Sequence, residues 1–136
     1  MSLSILLSGA TGFLGSSIAE ELVSTTDATV YALVRPKADR TPSMRLEALW
    51  CERPALRKAL GTRIVPIEGD IERELLGLTP EGYDELARTT DAVIHAAAEV
   101  GIHQTYQRLW DVNVHGTARM LDFAARARHL LVHVGV

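Results

Sequence analysis

LLSGATGFLGSSI, residues 6–18, sets Gly9, Gly12 and Gly15 three residues apart, directly after an apolar run and directly before a helix-like one. The run over residues 3–7 has strand length, and Leu14, Ile18 and Leu22, with Ala19 and Val23, recur at helical spacing. Taken alone, Gly-x-x-Gly-x-x-Gly is an ordinary glycine-rich turn. Between a first strand and the helix it opens, it meets the condition for a dinucleotide fingerprint. The missing side chains then allow a tight turn, a close approach of backbone to a pyrophosphate, and tight packing of helix on strand. The unpaired N–H groups and positive dipole end of a helix beginning near Gly12 attract an anion. This stretch predicts a phosphate grip.

The rest of the chain repeats the strand–helix alternation. Residues 29–34, TVYALV, read as a second strand, and residues 43–60 as helix, broken near Pro54, which can open a second helical piece. Residues 63–67, RIVPI, read as a third strand, whose Pro66 lacks a ladder donor and predicts an edge position. Thr79-Pro80-Glu81 is a helix start, with Thr as cap and Pro in the first turn, leading to about Arg88. Residues 92–95, AVIH, form strand four. Residues 106–128 are the longest helical stretch, with Leu109, Val112, Gly116, Met120, Phe123 and Ala127 on one stripe, and residues 130–134 form strand five. Near-continuous apolar strands separated by helices predict an α/β fold: a five-stranded parallel Rossmann-type sheet with helices on both faces and right-handed crossovers.

Composition bounds the function. The 136 residues, 47% of them hydrophobic, suit one domain. A formal net charge of -3 with interspersed signs gives no basic stripe for a nucleic acid. Cys51 is the single cysteine, which excludes an internal disulfide and a thiolate metal site and fits a reducing cytoplasm. No basic segment precedes residues 3–7, and no stretch approaches about 18 consecutive apolar residues, so neither export nor a membrane span is indicated.

The choice of dinucleotide is read at the end of strand two, where an acidic residue would accept the ribose hydroxyls of NAD. Here that position is Arg35, and no Asp or Glu stands in VRPK. A guanidinium can pair with a 2′-phosphate, at about 1.5 to 3 kcal/mol for a charge-assisted hydrogen bond, so NADP(H) is favoured over NAD(H). The other reading of Arg35 is a solvated residue at a strand end; Lys37 and Arg45 add positive charge nearby. EGDI after strand three offers Asp70 to accept from an adenine amino group and Ile71 to pack on the base, or equally a turn Asp with a core Ile. HAAAEV after strand four has Ala96, Ala97 and Ala98 in a row, small enough for a cofactor to lie against backbone, as a small-residue core also would be.

With these residues assembled, the chain resembles the extended short-chain dehydrogenase/reductase superfamily, and within it the thioester reductase and fatty acyl-CoA reductase group, also called the male-sterility type. SGATGFLG, ALVR, GDI, HAAAEV and NVHGT carry the resemblance over essentially the whole chain. It implies a nucleotide site built from Gly9, Thr11, Gly12, Phe13, Leu14, Gly15, Arg35, Asp70, Ile71 and Ala96 to Ala98, with Arg45 beside it and Asn113 ordering the active-site helix. It also implies hydride delivery from NADPH to an acyl thioester on coenzyme A or a carrier protein, releasing aldehyde or alcohol.

The departures concern catalysis. The family pairs a Tyr with a Lys four positions later, the Lys lowering the phenol pKa. Here Tyr31, Tyr83 and Tyr106 are followed at that spacing by Arg35, Ala87 and Trp110. Where the family ends strand five in a Ser or Thr, this chain has Gly135 and Val136. No catalytic residue is therefore assigned, and the expectation is the N-terminal cofactor-binding portion of a longer reductase. The alternatives are the equivalent portion of a nucleotide-sugar epimerase or dehydratase, and a dinucleotide-binding module without chemistry. An apolar fifth strand at the sheet edge would favour self-association. His129 and His133, flanking a strand, lie about 13 Å apart, too far for one metal ion. His95, His103 and His115 lack ligand-spaced partners, so no metal site is predicted. Glu20-Glu21 and residues 72–74 read as solvated faces, and Trp50 and Trp110 as packing residues.

Overall fold

The computed structural model describes residues 2–101, 103–127 and 130–133, the last four by backbone alone. His129, Gly135 and Val136 lie outside the described residues, as does the side chain of His133. The elements alternate as expected: β1 (Ser4–Ser8), α1 (Phe13–Thr25), β2 (Thr29–Val34), α2 (Pro42–Leu49), α3 (Pro54–Ala59), β3 (Ile64–Glu68), α4 (Pro80–Thr89), β4 (Ala92–His95), α5 (Tyr106–Leu109), α6 (Gly116–Ala127) and β5 (Leu130–His133). All pairings are parallel, in the order β3-β2-β1-β4-β5. This is the Rossmann-like arrangement. Side chains are described for four of these strands; β5 is described by its backbone alone, pairing in parallel beside β4.

Why the chain forms two layers is visible in β1. Adjacent strand residues point to opposite faces, so Leu6 and Leu7, both fully buried, enter different cores. Leu6 joins Val93, Tyr83, Met120 and Phe123 beneath α4 and α6. Leu7 joins Val30, Ala32, Leu46, Trp50 and Leu56 beneath α1, α2 and α3. Tyr83 and Phe123 meet edge to face, with ring centroids 5.2 Å apart. β3 is an edge strand, as Pro66 suggests: among the described strands it neighbours β2 alone, with Ala32 opposite Pro66.

Caps fix the helix starts. Thr41 Oγ1 accepts from the Met44 N–H with Pro42 in the first turn, and Thr79 Oγ1 accepts from the Gly82 N–H with Pro80 in the first turn. Pro54 opens the second helical piece, as its ring geometry predicts. The long C-terminal helix is not one regular α-helix. Between α5 and α6, residues Trp110–His115 form a π-helical turn, with helical dihedrals on both sides. No helix among the described residues is long and apolar enough to cross a membrane.

Trp50 is a packing residue, 1% exposed, and its indole N–H donates to Ser16 Oγ, which itself donates to the Ala10 carbonyl. Trp110 is not: it is 40% exposed and donates to His115 Nε2.

Candidate functional site

The strand order changes direction at β1, whose neighbours β2 and β4 feed helices to opposite faces, and a crevice opens there at the carboxyl ends of the strands. Its walls come from the loop after β1, the end of β2, the turn after β3 and the segment after β4. Of the residues singled out by sequence, Gly9, Thr11, Gly12, Arg35, Arg45, Ile71, Ala96, Ala97 and Ala98 line this crevice.

The three glycines occupy three different environments. Gly9 has φ +84, and a Cβ there would lie 2.7 Å from the Ala96 backbone. At Gly15 a Cβ would lie 1.8 Å from the Gly9 carbonyl oxygen, so α1 packs directly on the turn. Gly12 is different: its Cβ would meet only the Gly9 oxygen, at 3.4 Å, leaving its other side open to the crevice. α1 begins immediately after it, with no side-chain cap and no acidic residue in its first turn. An open glycine beside a helix N-terminus lacking both is a cradle that fits a dinucleotide pyrophosphate. Phe13 is 88% exposed beside this cradle, whereas Leu14 is half-buried and Gly15 is a packing position.

At the β2 end, Arg35 is exposed, and Arg45 from α2 reaches back to donate to its carbonyl oxygen. At the β3 end, Asp70 Oδ1 accepts from the Glu72 N–H, closing an Asx turn, and Asp70 is not among the residues that line the crevice. Ile71 is buried, with Gly116 of α6 seated against it; a Cβ at Gly116 would come within 2.8 Å of Ile71 Cδ1. The turn continues through Leu75 and Leu76, both at left-handed φ values of 53 and 56.

Two groups of contacts were not legible as parts of a site. The first is buried. Ser8 Oγ lies 2.6 Å from His95 Nδ1, His95 Nε2 lies 3.0 Å from Thr117 Oγ1, and the Thr117 hydroxyl donates to the Asn113 carbonyl at 2.6 Å. Thr117 has one hydrogen, and Asn113 takes it, so His95 Nε2 carries its own hydrogen toward Thr117. Ser8 Oγ already accepts from the Ala96 and Ala97 N–H groups at 3.1 and 3.2 Å, so its hydrogen goes to His95 Nδ1. His95 thus joins the start of the alanine segment to the π turn.

The second group is ionic. Glu72 joins Arg35 at 3.3 Å through one oxygen and Arg108 at 2.5 Å through the other, while Arg108 also reaches Glu99 at 3.2 Å. Glu72 is therefore not a solvated face, as its sequence neighbours suggest; its side chain is only 22% exposed. The Arg108 guanidinium is held above its ordinary pKa, first by the hydrogen bond to Glu72. Asn113, on the π turn, grips the backbone of Glu99 twice: Oδ1 accepts from the N–H and Nδ2 donates to the carbonyl. Among the described residues, no group of three His, Cys, Asp or Glu could hold a metal ion.

Comparison with known proteins agrees with this geometry. An NAD-binding family described as Male sterility protein matches residues 7–135. A linear gramicidin synthase of Brevibacillus parabrevis is 36% identical over 134 residues, covering 94% of this chain and 2% of that protein. Fatty acyl-CoA reductase 1 of Mus musculus is 30% identical over 143 residues, covering 97% of this chain and 27% of its own length. The solved terminal R domain from the myxalamid PKS-NRPS biosynthetic pathway superposes with a TM-score of 0.89 at 38% identity, over 99% of this chain and 34% of that one. The chain thus spans about a third or less of each of these proteins. The glycine cradle, the strand order and these matches together place the chain in the Male sterility protein family, as an NAD(P)-binding domain of the thioester reductase and fatty acyl-CoA reductase group.

Proposed function

We propose that this chain is the NADP(H)-binding part of a reductase that acts on acyl thioesters carried by coenzyme A or by a carrier protein. In this reading Gly9, Thr11, Gly12 and the α1 N-terminus hold the pyrophosphate, with Phe13 and Leu14 flanking it and Gly15 keeping α1 close. Ile71 and the Asp70 turn face the adenine, and Arg35, braced by Arg45, pairs with the 2′-phosphate. Ala96, Ala97 and Ala98 form the floor on the nicotinamide side, and Asn113 holds the segment after β4 to the π turn. Bound NADPH would supply a hydride to the thioester carbonyl carbon, with one proton taken up and the C–S bond broken, to leave an aldehyde and a thiol. A second hydride and proton would take the aldehyde to the alcohol. No residue among the 136 is assigned to the proton transfer.

The observation that carries the cofactor preference is the placement of Arg35 at the crevice edge, its carbonyl held by Arg45, with no carboxylate in VRPK to accept ribose hydroxyls. Glu72 is the nearby acid, and each of its oxygens already faces an arginine. The test is calorimetric titration of the full chain with NADP⁺ and NAD⁺, repeated on Arg35→Ala. Tighter NADP⁺ binding that Arg35→Ala reduces about ten- to a hundredfold supports the reading. Equal affinities, unchanged by the substitution, would remove it.

A further inference from the structure

The crevice edge carries a row of alternating charges: Arg35, Glu72, Arg108, Glu99. Its formal charges sum to zero, so the guanidinium that would meet a 2′-phosphate is already neutralised by a neighbour. Among the described residues, Glu72 is the one carboxylate in contact with Arg35. Its two contacts are unequal, at 3.3 Å to Arg35 and 2.5 Å to Arg108. Arg108 is also the less exposed partner, at 36% against 54%. Arg35 is therefore the arm that can let go while Glu72 stays anchored.

We infer that Glu72 competes with the nucleotide 2′-phosphate for Arg35, and that Arg108, by drawing Glu72 toward itself, sets how strongly it competes. Arg108 thereby becomes a specificity-determining residue acting through Glu72. The inference rests on the reading of Arg35 as the 2′-phosphate partner. It has an unusual sign. Removing the negative charge of Glu72 takes an anion away from the dianionic phosphate and frees Arg35, so NADP⁺ binds more tightly. Removing Arg108 leaves Glu72 to Arg35 alone, so NADP⁺ binds less tightly. NAD⁺, without the phosphate, feels neither change.

The test is titration of the full chain and three variants, Glu72→Gln, Arg108→Gln and the double variant, with NADP⁺ and NAD⁺ at low salt, with Arg35→Ala in parallel. Glu72→Gln is expected to tighten NADP⁺ roughly three- to tenfold, as for one charge pair near a protein surface. Arg108→Gln is expected to weaken NADP⁺ about two- to fivefold. The double variant should match Glu72→Gln, because without the carboxylate Arg108 has nothing to divert. NAD⁺ should change less than about twofold throughout, and high salt should shrink the NADP⁺ effects. If Glu72→Gln leaves or weakens NADP⁺ binding while Arg35→Ala still abolishes the preference, the competition is wrong and the reading of Arg35 stands. An equal loss from Arg108→Gln in both backgrounds would overturn the part given to Arg108. If Arg35→Ala leaves the preference untouched, the reading beneath the inference fails first.

Discussion

Replacing Ser8 by Ala removes one oxygen from a buried polar cluster of the sheet. Ser8 is 1% exposed and His95 fully buried. The substitution takes the hydroxyl donor from His95 Nδ1 and the side-chain acceptor from the Ala97 N–H; Ala96 keeps a backbone bond to the Ser8 carbonyl at 3.2 Å. Two polar groups therefore lose a partner while staying in place, at about 1 to 2 kcal/mol each. The void left by one oxygen adds only a few tenths of a kcal/mol, at about 24 cal/mol per Å³. A loss near 3 kcal/mol follows, a large share of the roughly 5 to 15 kcal/mol that holds a domain together. Urea unfolding of the full chain measures it, and amide hydrogen exchange should show faster exchange at Ala97. Thr117→Val acts on the other imidazole nitrogen, so the double substitution should cost less than the sum of the two. A Ser8→Ala loss below about 1 kcal/mol, with Ala97 exchange unchanged, would refute the donor and acceptor assignment.

The glycines separate stability from binding. Gly15→Ala forces a Cβ into the Gly9 carbonyl and should cost more than about 3 kcal/mol in a thermal or urea melt, whereas Gly12→Ala should stay within about 1 kcal/mol yet weaken dinucleotide binding. Leu75 is 41% exposed at a left-handed φ of 53, so Leu75→Asn should stabilise the fold by about 0.5 to 1 kcal/mol, and a lower urea midpoint would contradict this. The Tyr83 phenol is held above its ordinary pKa of 10.0, first by burial and then by the charge of Asp122. The unfolded chain releases that proton at lower pH than the folded one, so this contribution is present below pH 10 and is lost as pH rises through the folded value. Tyr83→Phe should flatten that alkaline decline in stability; an unchanged slope would show that another group causes it.

What could be read from the sequence was local. Caps at Thr79, the Pro54 break and the edge position of Pro66 each follow from one residue and its neighbours. Gly9 and Gly15 each meet backbone whose position the strand–turn–helix context already implies. The ionic row was hidden because Glu72 and Arg108 lie 36 residues apart and meet only once β3 and α5 share one end of the sheet. Glu72 sits in a run of charges that looks like any solvated face. Ser8 and His95 are 87 residues apart, and β1 pairing with β4 brings them opposite each other. The π turn has no residue signature: it adds one residue to a helical turn, and a 3.6-residue period runs through WDVNVH undisturbed.

Ile71 faces two ways. One side of it lines the crevice, and the other receives the bare backbone of Gly116, with no spare space between. A change of shape at residue 71 would therefore push on the helix that begins at Gly116, and through it on the π turn that bears Asn113. The two ends of this crevice are not independent modules, and redesign of one calls for compensating changes in the other.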